Sequence, residues 1–195
     1  MGRIQPLDGK QWPAAMREAL AAMTPPNPRY ELSRAPGRPK GANILGTLAH
    51  HPELARAFFT LNGHLLRATT LTERQRELLI LRVAAVRGFA YEWAQHLPMA
   101  RDAGLTDAEI AWVAWGPDAP VWSAGEAALL RSVDELIADG VIGEATWATL
   151  AAEFDTRQIL DAIFTVGAYE TLGWMINSLG VELDADIIAM LRPTD

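Results

Sequence analysis

The sequence predicts an all-α protein, a single-domain bundle of seven or eight helices. From Leu78 to Val86 every residue but Arg82 is apolar, and a helix that is apolar all round belongs inside a protein. Helix-start devices recur along the chain, pairing Thr72 with Gln75, Thr106 with Glu109, Ser123 with Glu126 and Asp155 with Gln158. Turn signals stand between them at Gly104, Gly116-Pro117, Gly140 and Gly180, and no alternating strand pattern competes anywhere.

In chain order, Trp12 to Met23 reads as a short helix led in by Pro13, which suits a first helical position. Thr24 to Gly41 is rich in Pro, Gly and Arg and reads as an extended connector. Its basic cluster of Arg29, Arg34, Arg38 and Lys40 is expected to be a surface arm. Residues 1–43 thus form an N-terminal helix and arm, and residues 44–195 the helical domain, in one structural domain overall. Asn43 to Ala49 begins a helix that stops near His50, His51 and Pro52. Glu53 to Arg67 follows as an amphipathic helix with Leu54, Phe58, Leu61 and Leu65 on one stripe and His64 beside it. Thr72 opens the central helix, which meets a second helix at Gly88. Pro98 falls inside that second helix and is expected to bend it.

Composition narrows the function. A chain of 195 residues, half of them apolar, can bury a substantial core. The formal charge of -7, with acids spread along the chain, disfavours nucleic acid as a partner. No run of about eighteen apolar residues indicates a membrane span, and the first residues, MGRIQPLDGKQW, lack the apolar centre of a signal peptide. A cytoplasmic protein is expected. The chain has no cysteine, so it has no disulfide, no thiolate metal site and no thiol-based peroxide chemistry.

Candidate site residues sit on the two central helices. Glu92 and His96 are four apart and share a face with Met99 and Ala103, while Glu77 shares its stripe with Leu81, Ala84 and Gly88. Two carboxyls and an imidazole turned inward would have shifted pKa values, as general acid and base work requires. Arg82, inside an apolar helix, must meet a carboxylate or a bound anion. Either a structural ion pair or a substrate anchor satisfies that need. Tyr91 and Tyr169 are candidate proton donors, and Trp112 and Trp115, three apart, are candidate pocket walls.

A weak internal repeat sets Thr72 onward against Asp155 onward, 83 positions later (155 minus 72). Arg74, Gln75, Ile80, Val83 and Ala85 match Arg157, Gln158, Ile163, Val166 and Ala168. The same offset pairs Glu77 with Leu160, Phe89 with Leu172, Glu92 with Met175 and His96 with Leu179. On that reading the second copy shows what packing alone would choose at the candidate site.

The spacing Glu77, Phe89, Glu92, His96, followed by AGLTDAEI, resembles the carboxymuconolactone decarboxylase and alkylhydroperoxidase D-like superfamily, over roughly Phe58 to Asp186. The resemblance implies an all-helical bundle that assembles as a homo-oligomer. In the peroxidase branch a Cys-x-x-Cys pair stands where this chain has Phe89 and Glu92; in the decarboxylase branch a Glu, a Glu and a His stand at the positions of Glu77, Glu92 and His96. The implied function is a cofactor-free acid/base enzyme, of decarboxylase, isomerase or hydratase type, acting on a small carbonyl, lactone or carboxylated substrate. His96 and Glu92 would transfer the proton and Glu77 would orient the imidazole, with His64, Arg82 and Tyr91 as candidate substrate contacts. No metal, nucleic acid or membrane partner is expected. Two alternatives stay open: a metal-dependent enzyme using His96, Glu92, Glu77 and His64, and a non-catalytic oligomer in which the same groups form a structural network.

Overall fold

The computed structural model describes residues 2–31 and 39–191, and every regular element among them is helical. The helices are α1 (Ala14–Ala21), α2 (Ala42–Leu48), α3 (Pro52–Arg67), α4 (Glu73–Arg87), α5 (Ala90–Asp102), α6 (Asp107–Trp115), α7 (Ala124–Asp139), α8 (Glu144–Glu153), α9 (Thr156–Leu179) and α10 (Ala185–Leu191). Ten helices therefore stand among the described residues where seven or eight were expected. The excess comes from short ones such as α2 and α10, of seven residues each, which carry too few turns for a periodic signal. Of the expected basic arm, Arg34 and Arg38 lie outside the described residues. Arg29 donates from Nη1 to the Thr69 carbonyl (2.8 Å) and lies over the Tyr30 ring.

The chain divides into two compact units, Met1–Thr69 with Trp174–Asp195, and Thr70–Gly173. In the first, α1 packs on α3 through the buried Met16 and Ala19. Gly63 of α3 makes that approach close, since a Cβ there would sit 2.9 Å from the carbonyl oxygens of both Ala22 and Met23. The buried side of α3 carries Ala55, Phe59, Asn62, Leu65 and Leu66. The stripe expected from Leu54 is displaced by one position, and Leu54 is 54% exposed. Phe58 and Phe59 are adjacent, so two neighbouring stripes fit the same helical period. At the start of α2 the Asn43 amide donates to Asp184 Oδ1 (2.8 Å), and its side chain donates to the Glu182 carbonyl. These bonds satisfy donors that a helix of this length cannot pair internally.

The second unit is organised around α4, which contacts α5, α6 and α7. Leu78, Leu79, Ile80 and Leu81 are fully buried on successive sides of it. Leu78 and Leu81 join Ala100, Leu105, Ile110, Val113 and Leu130 in one core, with Trp93, Leu97 and Trp122 packed against it. Each such leucine contributes about 1.5–3 kcal/mol of transfer free energy. The start devices take the geometry their residues prescribe: Thr72/Gln75, Thr106/Glu109 and Ser123/Glu126 form reciprocal capping boxes, and Asp155/Gln158 exchange the same pair of bonds. Asp161 of α9 accepts from Thr70 N and Oγ1 at 2.6 and 2.7 Å, tying down the chain ahead of α4.

The sequence repeat has no structural counterpart. α9 runs unbroken for 24 residues, whereas the first copy turns at Gly88, and Leu160 is 51% exposed where its counterpart Glu77 is fully buried. Leu160 is thus not a packing equivalent of Glu77, although Leu172 is buried as its counterpart Phe89 is. By length and composition α9 is apolar enough to cross a membrane, yet more than half of that window is buried within the chain. Close packing explains its Gly173, where a Cβ would overlap the ring of Phe89. Gly173→Ala is expected to lower stability by about 1–3 kcal/mol through overpacking. In a Phe89→Ala background the same change should become neutral or stabilising by up to about 1 kcal/mol, because alanine is the better helix former. Urea unfolding of the four proteins measures both effects, and a Gly173→Ala variant more stable than the parent with Phe89 in place would refute the packing account.

Candidate active site

Glu77 and His96 meet because α4 ends in a tight reversal. Gly88 takes a left-handed conformation (φ 66°), the Phe89 amide donates to the Ala84 carbonyl (2.9 Å), and the Gly88 amide reaches Ala85. This is a Schellman closure, and it starts α5 at Ala90, folded back along α4. Glu92 and His96, one turn apart on α5, then face Glu77 on the second turn of α4. Their exposures are 0% for Glu77, 2% for Glu92 and 5% for His96.

The contacts run in a line. Arg76 donates from Nε to Glu77 Oε1 at 2.9 Å, with Nη2 also at 2.9 Å. The other oxygen of Glu77, Oε2, lies 2.7 Å from His96 Nδ1. His96 Nε2 points toward Glu92, 3.8 Å from its Oε2 and so beyond hydrogen-bond length. The Tyr169 ring of α9 stands edge-on to the imidazole, with centroids 5.1 Å apart at 81°. Glu92 Oε1 is buried and has no hydrogen-bond partner.

These surroundings drive the two carboxyls apart. For Glu77 burial alone would raise the pKa, but the charges and hydrogen bonds of His96 and Arg76 outweigh it and hold the carboxyl below its ordinary value. For Glu92 burial dominates, only partly opposed by His96, and pushes its pKa up to about 7. Burial, followed by the Glu92 and Glu77 charges, also raises Tyr169 well above the usual phenol value. With Glu77 ionised, His96 Nδ1 carries a proton and donates it to Glu77, which leaves Nε2 as the exchangeable nitrogen on the Glu92 side. One carboxylate fixes the imidazole while the second carboxyl is held near neutrality.

The remaining candidates lie elsewhere. Arg82 donates from Nε and Nη2 to the two carboxylate oxygens of Asp134 (2.7 and 2.8 Å) and from Nη1 to the Val113 and Ala114 carbonyls. It is the bidentate structural pair of the two readings, with no cationic edge left for a substrate. Tyr91 is buried on α5, a helical step of about 100° away from the direction of Glu92. His64 lies on the exposed side of α3 in the first unit. Trp112 and Trp115 stack edge to face (6.0 Å) with Trp115 largely exposed, whereas a cleft of about 270 Å³ is lined by Ala84, Ala85, Gly88, Phe89, Trp93 and Ala114 among others. Among the described residues no group of three or more His, Asp or Glu is arranged to hold a metal ion, since both Glu77 oxygens are committed to Arg76 and His96.

Sequence reasoning missed Arg76. Adjacent residues do not face one another on a helix, so an Arg-Glu neighbour pair carries no pairing signal. Here the long guanidinium stem curls back onto the neighbouring carboxylate inside the core.

Comparison with known proteins places this geometry in context. Residues 52–135 match the carboxymuconolactone decarboxylase family. A search of curated proteins gave no significant match. Among solved structures, a protein of unknown function from Agrobacterium tumefaciens related to the antioxidant protein AhpD shares 23% identity at a TM-score of 0.65, over 71% of this chain and 95% of that one. An uncharacterised peroxidase-related protein from Ralstonia eutropha with an alkylhydroperoxidase AhpD core gives 23% and 0.66, over 78% and 82%. The debrominase Bmp8, in its apo form, gives 15% and 0.68, over 96% and 95%. At these identities the likeness establishes the fold.

Proposed function

From the match of residues 52–135 to the carboxymuconolactone decarboxylase family, we propose that the chain is an acid/base enzyme of that family, moving a proton on a small carbonyl or lactone substrate. The observation that carries the reading is the unpaired Oε1 of Glu92 inside a buried site. A network built only for packing would satisfy its buried oxygens, whereas a working carboxyl keeps one for the substrate. His96 Nε2 takes a proton from the carbon next to the carbonyl, so that a C–H bond breaks and an N–H bond forms. The Glu92 carboxyl donates to the carbonyl oxygen, giving an enol, and reversal at another carbon completes an isomerisation. Glu77 keeps the imidazole in its Nδ1–H form throughout. Neither step uses a thiol, and this chain has none. The exposed Leu160 and Phe164 of α9 support self-association as a further part of this proposal.

The test is the pH dependence of turnover on a panel of lactones and β-keto compounds. Because Glu92 acts in its protonated form, kcat/KM should fall as pH rises through about 7. Glu92→Gln should lose that limb together with about a hundredfold in rate. Turnover retained in both Glu92→Gln and His96→Ala would refute the assignment.

A further inference from the structure

We propose that this site takes an uncharged substrate, one presenting a hydroxyl, enol or carbonyl group to Glu92, and turns away carboxylates. The inference rests on the proton-transfer reading above and narrows its substrate. The cations of the unit, all but one, are held by carboxylates. Residues 70–173 contain no lysine and seven arginines. Arg74 is held by Glu109 and Glu126, Arg76 by Glu77, Arg82 by Asp134, Arg87 by Glu170, Arg101 by Asp107 and Arg131 by Asp118. The seventh, Arg157, is exposed in the first turn of α9, about 18 Å along the helix from Tyr169 at 1.5 Å per residue.

The groups that face His96 are therefore Glu77 with its Arg76 on α4, Glu92 on α5 and the Tyr169 ring on α9. An incoming carboxylate would find the one cation beside the imidazole, Arg76, already neutralised by Glu77 at 2.9 Å. Apart from the distant, exposed Arg157, no uncommitted guanidinium or ammonium of the unit stands among the described residues to receive it. Buried charge without a partner is strongly disfavoured. A neutral hydroxyl or carbonyl group meets no such barrier, and it supplies the partner that Glu92 Oε1 lacks.

Two probes of one shape decide the matter: a methyl-substituted β,γ-unsaturated butenolide, and the same ring with carboxymethyl in place of methyl. Binding is read from the ring nitrogens of His96 by ¹⁵N NMR on the full chain, and chemistry from deuterium uptake at the ring carbon in D₂O. We expect the neutral ring to shift the His96 resonances and to exchange, with the acid at least about a hundredfold weaker in both. A carboxymethyl ring that binds and exchanges as well as the neutral one would overturn the inference and leave the proton-transfer reading standing. Binding of the neutral ring alone, without exchange above a His96→Ala control, would support the inference and count against that reading. If neither ring moves the His96 resonances, the inference is wrong.

Discussion

Glu77→Gln is expected to cost about 3–5 kcal/mol of folding stability at neutral pH, the range found when one partner of a buried charge pair is removed. The substitution changes the shape of the side chain little, so packing is nearly conserved and the loss reports charge. Two neighbours lose their counter-charge together. Arg76, almost fully buried, loses its counter-charge at 2.9 Å and keeps Glu73 at 3.8 Å, and His96 Nδ1 loses the acceptor at 2.7 Å. The pH dependence has a definite sign. Because the folded-state pKa of Glu77 is depressed, its contribution is present above the ordinary carboxylate value and is lost as pH falls through the folded one. The gap between parent and variant should therefore be full at pH 7 and close in acid. Replacing the pair by apolar residues, as in Arg76→Met with Glu77→Leu, should recover most of the loss, because no charge is then stranded. Urea unfolding across pH measures all three proteins, and a Glu77→Gln penalty under 1 kcal/mol would show that the cluster is not the buried network described here.

Which parts of this arrangement the residues declare in advance follows from the range of each signal. Capping is local, so Thr72, Thr106, Ser123 and Asp155 announce helix starts within three residues. The relation of Glu92 to His96 is local too, one turn of a single helix. That Glu77 shares their cavity depends on the reversal at Gly88, which the glycine marks as a break but whose angle only packing sets. Arg76 was hidden because helical spacing argues against neighbours pairing. The pairing of Arg82 with Asp134 lies 52 residues apart, beyond any periodic rule, so spacing favoured an ion pair only slightly over a substrate anchor and could not name its partner. The repeat misled for a different reason: matching residues on two helices of similar composition says nothing of whether both helices are buried on the same side. Leu160 is exposed because its side of α9 has no neighbour within the unit, a tertiary fact with no sequence signal.

The second large effect runs in the opposite direction to the first. Glu92 has its pKa raised from 4.5 to about 7, so the folded state holds a proton that the unfolded chain has released across that interval. Its contribution is complete below the ordinary carboxylate value and is lost as pH rises through about 7. At 1.36 kcal/mol per pH decade, that interval corresponds to about 3 kcal/mol of stability lost by pH 8. Glu77 acts in the adjoining window, below the ordinary carboxylate value, so the parent's own pH profile rises through acid before it falls toward neutrality. The difference between the parent and Glu92→Gln isolates the Glu92 part, because glutamine never ionises and fills nearly the same volume. Relative to the parent, the variant should grow more stable by about 3 kcal/mol between pH 5 and pH 8, read by thermal or urea unfolding at each pH. A difference that stays flat with pH would mean that Glu92 titrates like a surface carboxylate. Such a result would also remove its claim to the acid role, because the burial that makes the ionised form costly is what keeps the proton available at neutral pH. A chain selected only for stability would carry glutamine or methionine at this position. On the proposed reading, a carboxyl that lowers stability at neutral pH stands here for its proton rather than for packing.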